Sequence, residues 1–261
     1  LVPESVIDDK VARIVRLADH PRIGVCLDSF HILSKGHNPE AIETIPAGKI
    51  FFVQLADAPL LSMDVLSWSR HHRLFPGEGG FHLGAFMGHL LRTGYEGPIS
   101  LEIFNDTFRQ SDARATAVDA RRSLRWLEHD TASWLGASAG GRAARMSVST
   151  LPVVERPTDV SYVELRTEAT ADMRDLLTQL GFRADGSHRT KSVELWSQGA
   201  ARIVLGRPES GRPQPTVAGI GLSVRDPDTA LRRATELFAP EIPREESAGD
   251  ERNVGRAILV C

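Results

Sequence analysis

Unbroken apolar runs that end in polar side chains dominate the first half of the chain. One run occupies 23–27 and ends at Asp28, with His31 three residues later. Another occupies 50–53 and is followed by Gln54. Continuous apolar runs of this length are typical of strands buried on both faces, as in parallel sheets and barrels. We therefore predict parallel strands at both places.

A third strand is predicted over 99–104, and it contains Glu102 near its end. Apolar residues at helical spacing occupy the intervals between the strands and predict helices over 6–18, 39–45, 82–93 and 112–128. The interval 57–81 is rich in polar and aromatic residues, so we predict a long loop there and a candidate active-site loop. Alternating helices and strands are typical of an α/β fold with a parallel sheet.

The pattern changes after residue 130. Residues 131–157 are rich in glycine, alanine and serine without periodicity, which predicts a linker between domains 1–130 and 158–261. Beyond the linker, the predicted elements are a strand over 160–167, a helix over 169–180, strands near 182–186, 192–197 and 201–206, then a strand over 218–224 and a helix over 228–238. This order indicates a weak internal βαβββ repeat whose second copy is truncated.

Composition narrows the function classes. The chain has 261 residues, of which 41% are hydrophobic, enough for one large or two ordinary domains. A net charge of -3 without long single-sign runs indicates no nucleic-acid or membrane partner. No segment is typical of a secretion signal or a membrane span. Two cysteines, Cys26 and Cys261, form no disulfide framework, so we expect a cytoplasmic protein, with homo-oligomer formation left open.

Three oxygen donors follow consecutive predicted strands: Asp28, Gln54 and Glu102. Each has an ordinary alternative role, since Asp28 could cap the next turn, Gln54 could satisfy a loop backbone group, and Glu102 could pair with an arginine. Together they stand at the sheet edge where ligands bind in α/β folds and barrels. Carboxylate and amide oxygens suit a hard divalent cation such as Mg²⁺ or Mn²⁺. We therefore predict a shared metal site.

His31 and the 57–81 loop add candidate chemistry to this site. His31 is predicted as a general base beside the cation, the alternative being a surface or capping residue. Ser69, Arg70 and Arg73 are either solvated loop residues or substrate ligands. Because the arginine fork matches a carboxylate, they favour a small acidic substrate. The second half of the chain shows no complete catalytic or metal-binding set.

Four segments also resemble a known family. They are C-L-D-S-F-H (26–31), F-F-V-Q-L-A-D-A-P (51–59), S-W-S-R-H-H-R (67–73) and S-L-E-I-F-N-D (100–106). In this order they resemble bacterial 3-dehydroshikimate dehydratases, whose sugar-phosphate isomerase/epimerase-like TIM barrel is fused to a 4-hydroxyphenylpyruvate dioxygenase-like domain. The resemblance implies the C-terminal half of a (β/α)₈ barrel followed by part of an α+β vicinal-oxygen-chelate domain.

The resemblance also implies roles for particular residues. The family holds a divalent cation (Mg²⁺, Mn²⁺ or Co²⁺) with Glu, Asp, Gln and Glu; Asp28, Gln54 and Glu102 match the last three. The first Glu would precede Leu1, and the chain has no initiator Met, so we expect a fragment that is inactive by itself. His31 matches the catalytic histidine of the family.

The implied reaction is the dehydration of 3-dehydroshikimate to protocatechuate, in which Ser69 and Arg73 match a substrate-contacting loop. The rival interpretation is a sugar or inositol isomerase or epimerase, because one barrel with one metal site supports several chemistries.

Overall fold

The computed structural model describes residues 9–137, 147–189, 191–208 and 215–239. The chain divides into two compact units, Leu1–Leu151 and Pro152–Cys261. A strand that the sequence predicts at 257–261 lies outside the described residues. No helix within the described ranges is both long and apolar enough to cross a membrane.

The first unit alternates helices with three short strands. Its elements are α1 (Asp9–Ala18), β1 (Val25–Asp28), α2 (Ser29–Leu33), 3₁₀ turns at Pro39–Thr44 and Ala47–Lys49, β2 (Ile50–Leu55), α3 (Val65–His71), α4 (Leu83–Arg92), β3 (Ile99–Leu101), a 3₁₀ turn at Phe108–Gln110 and α5 (Ala113–Ala137). The strands form one parallel sheet in the order β1-β2-β3. The predicted parallel arrangement and the α/β class are confirmed.

Burial differs between the two faces of this sheet. Val25, Leu27 and Val53 are almost completely buried on one face, in a core that includes residues of α4. On the other face Cys26 is exposed. Side chains alternate between faces along a strand, so the prediction of strands buried on both faces is correct for one face and wrong for the other.

Two predicted boundaries are corrected by the structure. The interval 57–81 is not a continuous loop, because it contains helix α3. Asp64 caps this helix by accepting hydrogen bonds from the N–H groups of Leu66 (3.1 Å) and Ser67 (2.9 Å). Helix α5 ends at Ala137 rather than near residue 128, so the first residues of the predicted linker are helical.

Small residues allow α4 and α5 to pack closely. A Cβ atom at Gly84 would overlap the carboxylate of Asp130, and one at Gly88 would overlap the indole ring of Trp134. The same indole lies 4.6 Å from the guanidinium carbon of Arg92, a cation–π contact. Glycine at position 88 is therefore required by the helix contact rather than by backbone conformation.

We expect Gly88→Ala to destabilise the chain by about 1–3 kcal/mol, the usual cost of overpacking a close contact. Gly136→Ala is the matched control, because it is also helical and a Cβ there meets no atom within 4 Å. This control should be neutral or stabilising by up to about 1 kcal/mol through helix propensity. Urea unfolding of both variants checks the difference; equal midpoints would contradict the proposed packing.

The second unit contains a five-stranded sheet. Its elements are β4 (Asp159–Arg166), α6 (Thr170–Gln179), β5 (Arg183–Ser187), β6 (Val193–Gln198), β7 (Ala201–Gly206), β8 (Thr216–Ser223) and α7 (Pro227–Glu236). The strand order is β5-β6-β7-β4-β8, with β4 and β7 parallel and the other neighbours antiparallel. Leu177, Trp196 and Leu205 form its core. The order of a strand, a helix and three strands agrees with the predicted elements.

Candidate active site

Asp28 ends β1 and begins α2. Its Oδ1 accepts hydrogen bonds from the backbone N–H groups of Phe30 (2.8 Å) and His31 (3.3 Å). The capping role that the sequence left open is therefore real. It leaves Oδ2 available to other groups, and this oxygen lies 3.7 Å from Nε2 of His31. The cap thus places the candidate base beside the candidate metal ligand.

Gln54 stands directly opposite Asp28 in the parallel register of β1 and β2. Beyond it, the Ser29 hydroxyl donates to the carbonyl of Ala56 (2.8 Å) and accepts from its N–H (2.9 Å). Ser29 is completely buried. This pair of hydrogen bonds connects the start of α2 to the end of β2, so the ends of β1 and β2 lie at the same edge of the sheet.

Glu102 follows β3 directly. Its backbone N–H donates to the carbonyl of Leu55 (2.9 Å), so the strand pairing continues one residue past β3. Ser100 is opposite Gln54 in the register, and Glu102 lies two residues farther along, on the same face. The carboxylate is half-buried and has no hydrogen-bond or ion-pair partner among the described residues.

The thiol of Cys26 lies on the same face of the sheet as the three oxygen donors. Its Sγ donates a hydrogen bond to Oε1 of Gln54 at 3.6 Å. The pKa of Cys26 is raised by partial desolvation first, and then by the negative charges of Asp28 and Glu102. Both carboxylates are thus close enough to oppose ionisation of a thiol that contacts the amide.

Arg73 lies at the centre of the polar contacts. Its Nη1 donates to Oδ2 of Asp28 (3.1 Å) and to the carbonyl of Glu102 (3.3 Å). Its Nε and Nη2 donate to the carbonyl and hydroxyl of Ser69, both at 2.9 Å. Nη2 also lies 3.4 Å from Nε2 of His31. The structure therefore brings five of the predicted site residues together.

Arg70 does not join this group. Its side chain is exposed, and it makes no hydrogen bond or ion pair with the other predicted site residues in the described part of the chain. Ser69 is buried in α3, and Arg73, two residues beyond the end of that helix, donates hydrogen bonds to it, whereas Arg70 is exposed.

Asp57 organises the loop, a role that sequence reasoning missed. The carboxylate is 1% exposed and accepts hydrogen bonds from the N–H groups of Ala58 (2.8 Å), Gly77 (3.0 Å) and Phe81 (3.0 Å). A Cβ at Gly79 would overlap this carboxylate. The sequence contained a sign of this role. Asp57 follows a predicted strand, and an aspartate carboxylate is suited to accept hydrogen bonds from the backbone N–H groups of a glycine-rich turn.

The oxygen-bearing side chains at the strand ends are of the type that binds a hard divalent cation, but three ligands are fewer than such a cation takes. They provide two carboxylates, of which Glu102 has no partner, and the amide oxygen of Gln54. No group of three or more histidine, cysteine, aspartate or glutamate side chains in the described ranges has the arrangement of a metal site. Residues of the second unit within those ranges likewise provide no such group. Within the described ranges, Asp28, Gln54 and Glu102 are the side chains that would hold such a cation.

Comparison of the sequence with known proteins gives a family match and two relatives. Residues 8–129 match the xylose isomerase-like TIM barrel family. A 3-dehydroshikimate dehydratase from Pseudomonas putida is 43% identical over 235 residues, which cover 87% of this chain and 37% of that protein. An inosose isomerase from Halalkalibacterium halodurans is 29% identical over 108 residues, 41% of this chain and 38% of that protein.

A solved structure is similar to most of this chain. It is described as a xylose isomerase-like TIM barrel/4-hydroxyphenylpyruvate dioxygenase fusion protein, with a TM-score of 0.76 and 42% identity. The match covers 89% of this chain and 39% of that chain. The resemblance drawn from the four sequence segments is confirmed, and the chain spans well under half the length of these relatives.

Proposed function

We propose that this chain, whose residues 8–129 have the sequence of a xylose isomerase-like TIM barrel, is part of a metal-dependent 3-dehydroshikimate dehydratase that forms protocatechuate. The observation that carries the proposal is that Asp28, Gln54 and Glu102 lie on one face of the sheet at the ends of neighbouring strands, with His31 beside Asp28. The identity with the Pseudomonas putida enzyme supports the choice of substrate. The remaining strands and ligands would belong to a longer protein.

The site residues suit a dehydration that begins with proton removal. A bound divalent cation would supply Lewis-acid stabilisation of negative charge on the substrate's ketone oxygen. His31 would take the proton from C4, which the adjacent ketone acidifies, and pass it to the hydroxyl at C5, which leaves as water. Transfer of a C6 proton to the ketone oxygen then completes the aromatic ring of protocatechuate.

The proposed substrate is acidic, so a cation should meet its carboxylate. The resemblance suggests Ser69 and Arg73, and the sequence adds Arg70. Of the two arginines, Arg73 is 2% exposed and Arg70 is exposed, so we favour Arg70 for the carboxylate; Ser69 is buried against Arg73, and its hydroxyl accepts a hydrogen bond from that guanidinium. Methionine at position 70 should then raise KM with little change in kcat.

We further propose that the second unit is part of a 4-hydroxyphenylpyruvate dioxygenase-like, vicinal-oxygen-chelate domain. Its β4-α6-β5-β6-β7 order and the similarity to the fusion structure support this assignment. A cytoplasmic location and a small-molecule partner complete the proposal.

Assay of the full-length protein that contains this chain tests the function. We expect 3-dehydroshikimate to be converted to protocatechuate, followed by its absorbance and by chromatography. Activity should stop on chelation and return with Mg²⁺, Mn²⁺ or Co²⁺. Conversion of inosose or a ketose without any protocatechuate would instead favour the isomerase, the less similar alternative.

A further inference from the structure

We propose that the second unit contains a binding site for a small, uncharged aromatic ring that carries hydroxyl groups, such as catechol. The site is a cavity of about 160 Å³, lined by residues of β4, of β8 and of the turn that leads into α7. All of these residues belong to Pro152–Cys261. The proposal therefore goes beyond the barrel site and does not depend on the reaction proposed there.

Two irregularities of the strands shape this cavity. β4 and β8 are antiparallel, and their register shifts between Val160 and Tyr162, so Ser161 is the extra residue of a β-bulge. A bulge re-aims a side chain, and bulges are frequent next to active sites. Opposite Tyr162, β8 has Gly221, where a Cβ atom would overlap the phenol ring. Glycine at this position therefore allows the ring of Tyr162 to lie across β8 and to form one wall of the cavity.

The size and the walls of the cavity suit a single aromatic ring. An apolar cavity of about 150 Å³ is large enough to hold benzene. Here Leu222, Val224 and Pro227 line the cavity beside the ring of Tyr162. An aromatic ligand gains an offset-stacked or edge-to-face contact with that phenol in addition to the burial of its apolar surface.

Three residues that line the cavity carry hydroxyl groups. Within the described ranges, the side chains of Ser161, Tyr162 and Ser223 have no hydrogen-bond partner. Burial raises the pKa of Tyr162 first, and the negative charge of Glu164 raises it further, so the phenol is neutral and can donate. Polar groups that fix the orientation of a ligand in a mostly apolar pocket are typical of small-molecule sites. A ligand hydroxyl, which both donates and accepts, matches these groups.

The charges around the cavity favour an uncharged ligand over an anion. None of the residues that line it is charged. Asp226 directly precedes the lining residue Pro227, and hydrogen bonds from Thr229 lower the pKa of this carboxyl. The same carboxylate accepts from the N–H groups of Asp228 (3.1 Å) and Thr229 (3.0 Å), so the first N–H groups of α7 are already used. An anionic ligand would meet a negative charge without gaining a donor from the helix.

Titration calorimetry of the full-length protein with catechol tests the site. A chelator is present throughout, so that catechol cannot bind through a cation. We expect a Kd of about 1 mM or below, which is within the affinity per atom that small ligands reach. Ser223→Phe fills the cavity and should weaken binding by at least about tenfold. Ser187→Phe is the matched control, because Ser187 is an exposed serine at the end of β5, and it should bind catechol as the wild type does.

A smaller substitution and a second ligand complete the experiment. Tyr162→Phe keeps the ring and removes one hydroxyl, so it should weaken catechol binding about 2- to 10-fold, and it carries the test if Ser223→Phe does not fold. Benzoate, which is anionic, should bind the wild type at least about tenfold more weakly than catechol. The inference is overturned if catechol does not bind, if its affinity is the same in the wild type and the folded variants, or if benzoate binds more tightly. Each of these results can be read whether or not the protein dehydrates 3-dehydroshikimate.

Discussion

Replacing His31 with glutamine is expected to lower kcat for protocatechuate formation by about 10²- to 10⁴-fold, the usual contribution of a positioned general base. Metal content should stay at the wild-type level, because Asp28 is capped through the backbone N–H of residue 31 rather than through its ring. Glutamine keeps a polar side chain of similar length but cannot accept the proton. Steady-state kinetics and elemental analysis of the purified full-length protein measure the two quantities.

His82→Gln is the matched control, since His82 is exposed and makes no side-chain capping bond at the start of α4. Its turnover should equal that of the wild type. Wild-type turnover in His31→Gln, with metal bound, would remove His31 as the base and leave the metal site untouched.

Replacing Glu102 with glutamine should reduce metal affinity and turnover together. The side chain is a half-buried carboxylate without a described partner, so the substitution removes one negative charge and breaks no existing ion pair. We expect the affinity for Mn²⁺ to fall by more than about 10²-fold, beyond the range for residues that only support a ligand. Titration calorimetry with Mn²⁺ and turnover at limiting metal give the comparison.

Glu96→Gln provides the control for charge alone, because Glu96 is exposed shortly before β3. It should bind metal as the wild type does. Full metal binding by Glu102→Gln would show that Glu102 is not a ligand. The site would then have to be sought around other side chains.

The positions of the strand ends were predictable from the apolar runs of the strands and from the parallel pairing between them. A continuous apolar run sets the strand, and parallel register brings its last residues level with those of the next strand. Asp28 and Gln54 are opposite each other for this reason. Glu102 lies beyond β3, yet its backbone bond to Leu55 continues the same pairing.

Helix α3 was missed because its apolar residues do not form a buried stripe. Val65 and Leu66 are 41% and 59% exposed, whereas Trp68 and Ser69 are the buried residues. Hydrophobic periodicity reports burial on one side of a helix, so a helix whose leading apolar residues face solvent gives no signal. Asp64 at its start was the remaining cue.

The contacts of Arg73 could not be predicted from local pattern. They join Arg73 to Asp28 and His31, which are 45 and 42 positions away in the chain, and so depend on the tertiary structure. No local pattern separates the buried Arg73 from the exposed Arg70, since both follow Ser69 on one short segment. Side-chain burial, which decides between them, is a property of the tertiary structure.

Anomalous diffraction from crystals of the full-length protein loaded with Mn²⁺ tests the central claim most directly. The account predicts a manganese peak bonded to oxygen atoms of Asp28, Gln54 and Glu102, at distances of about 2.0–2.6 Å typical of hard cations. The absence of a manganese peak at these side chains, with the three oxygens turned to different neighbours, would contradict it.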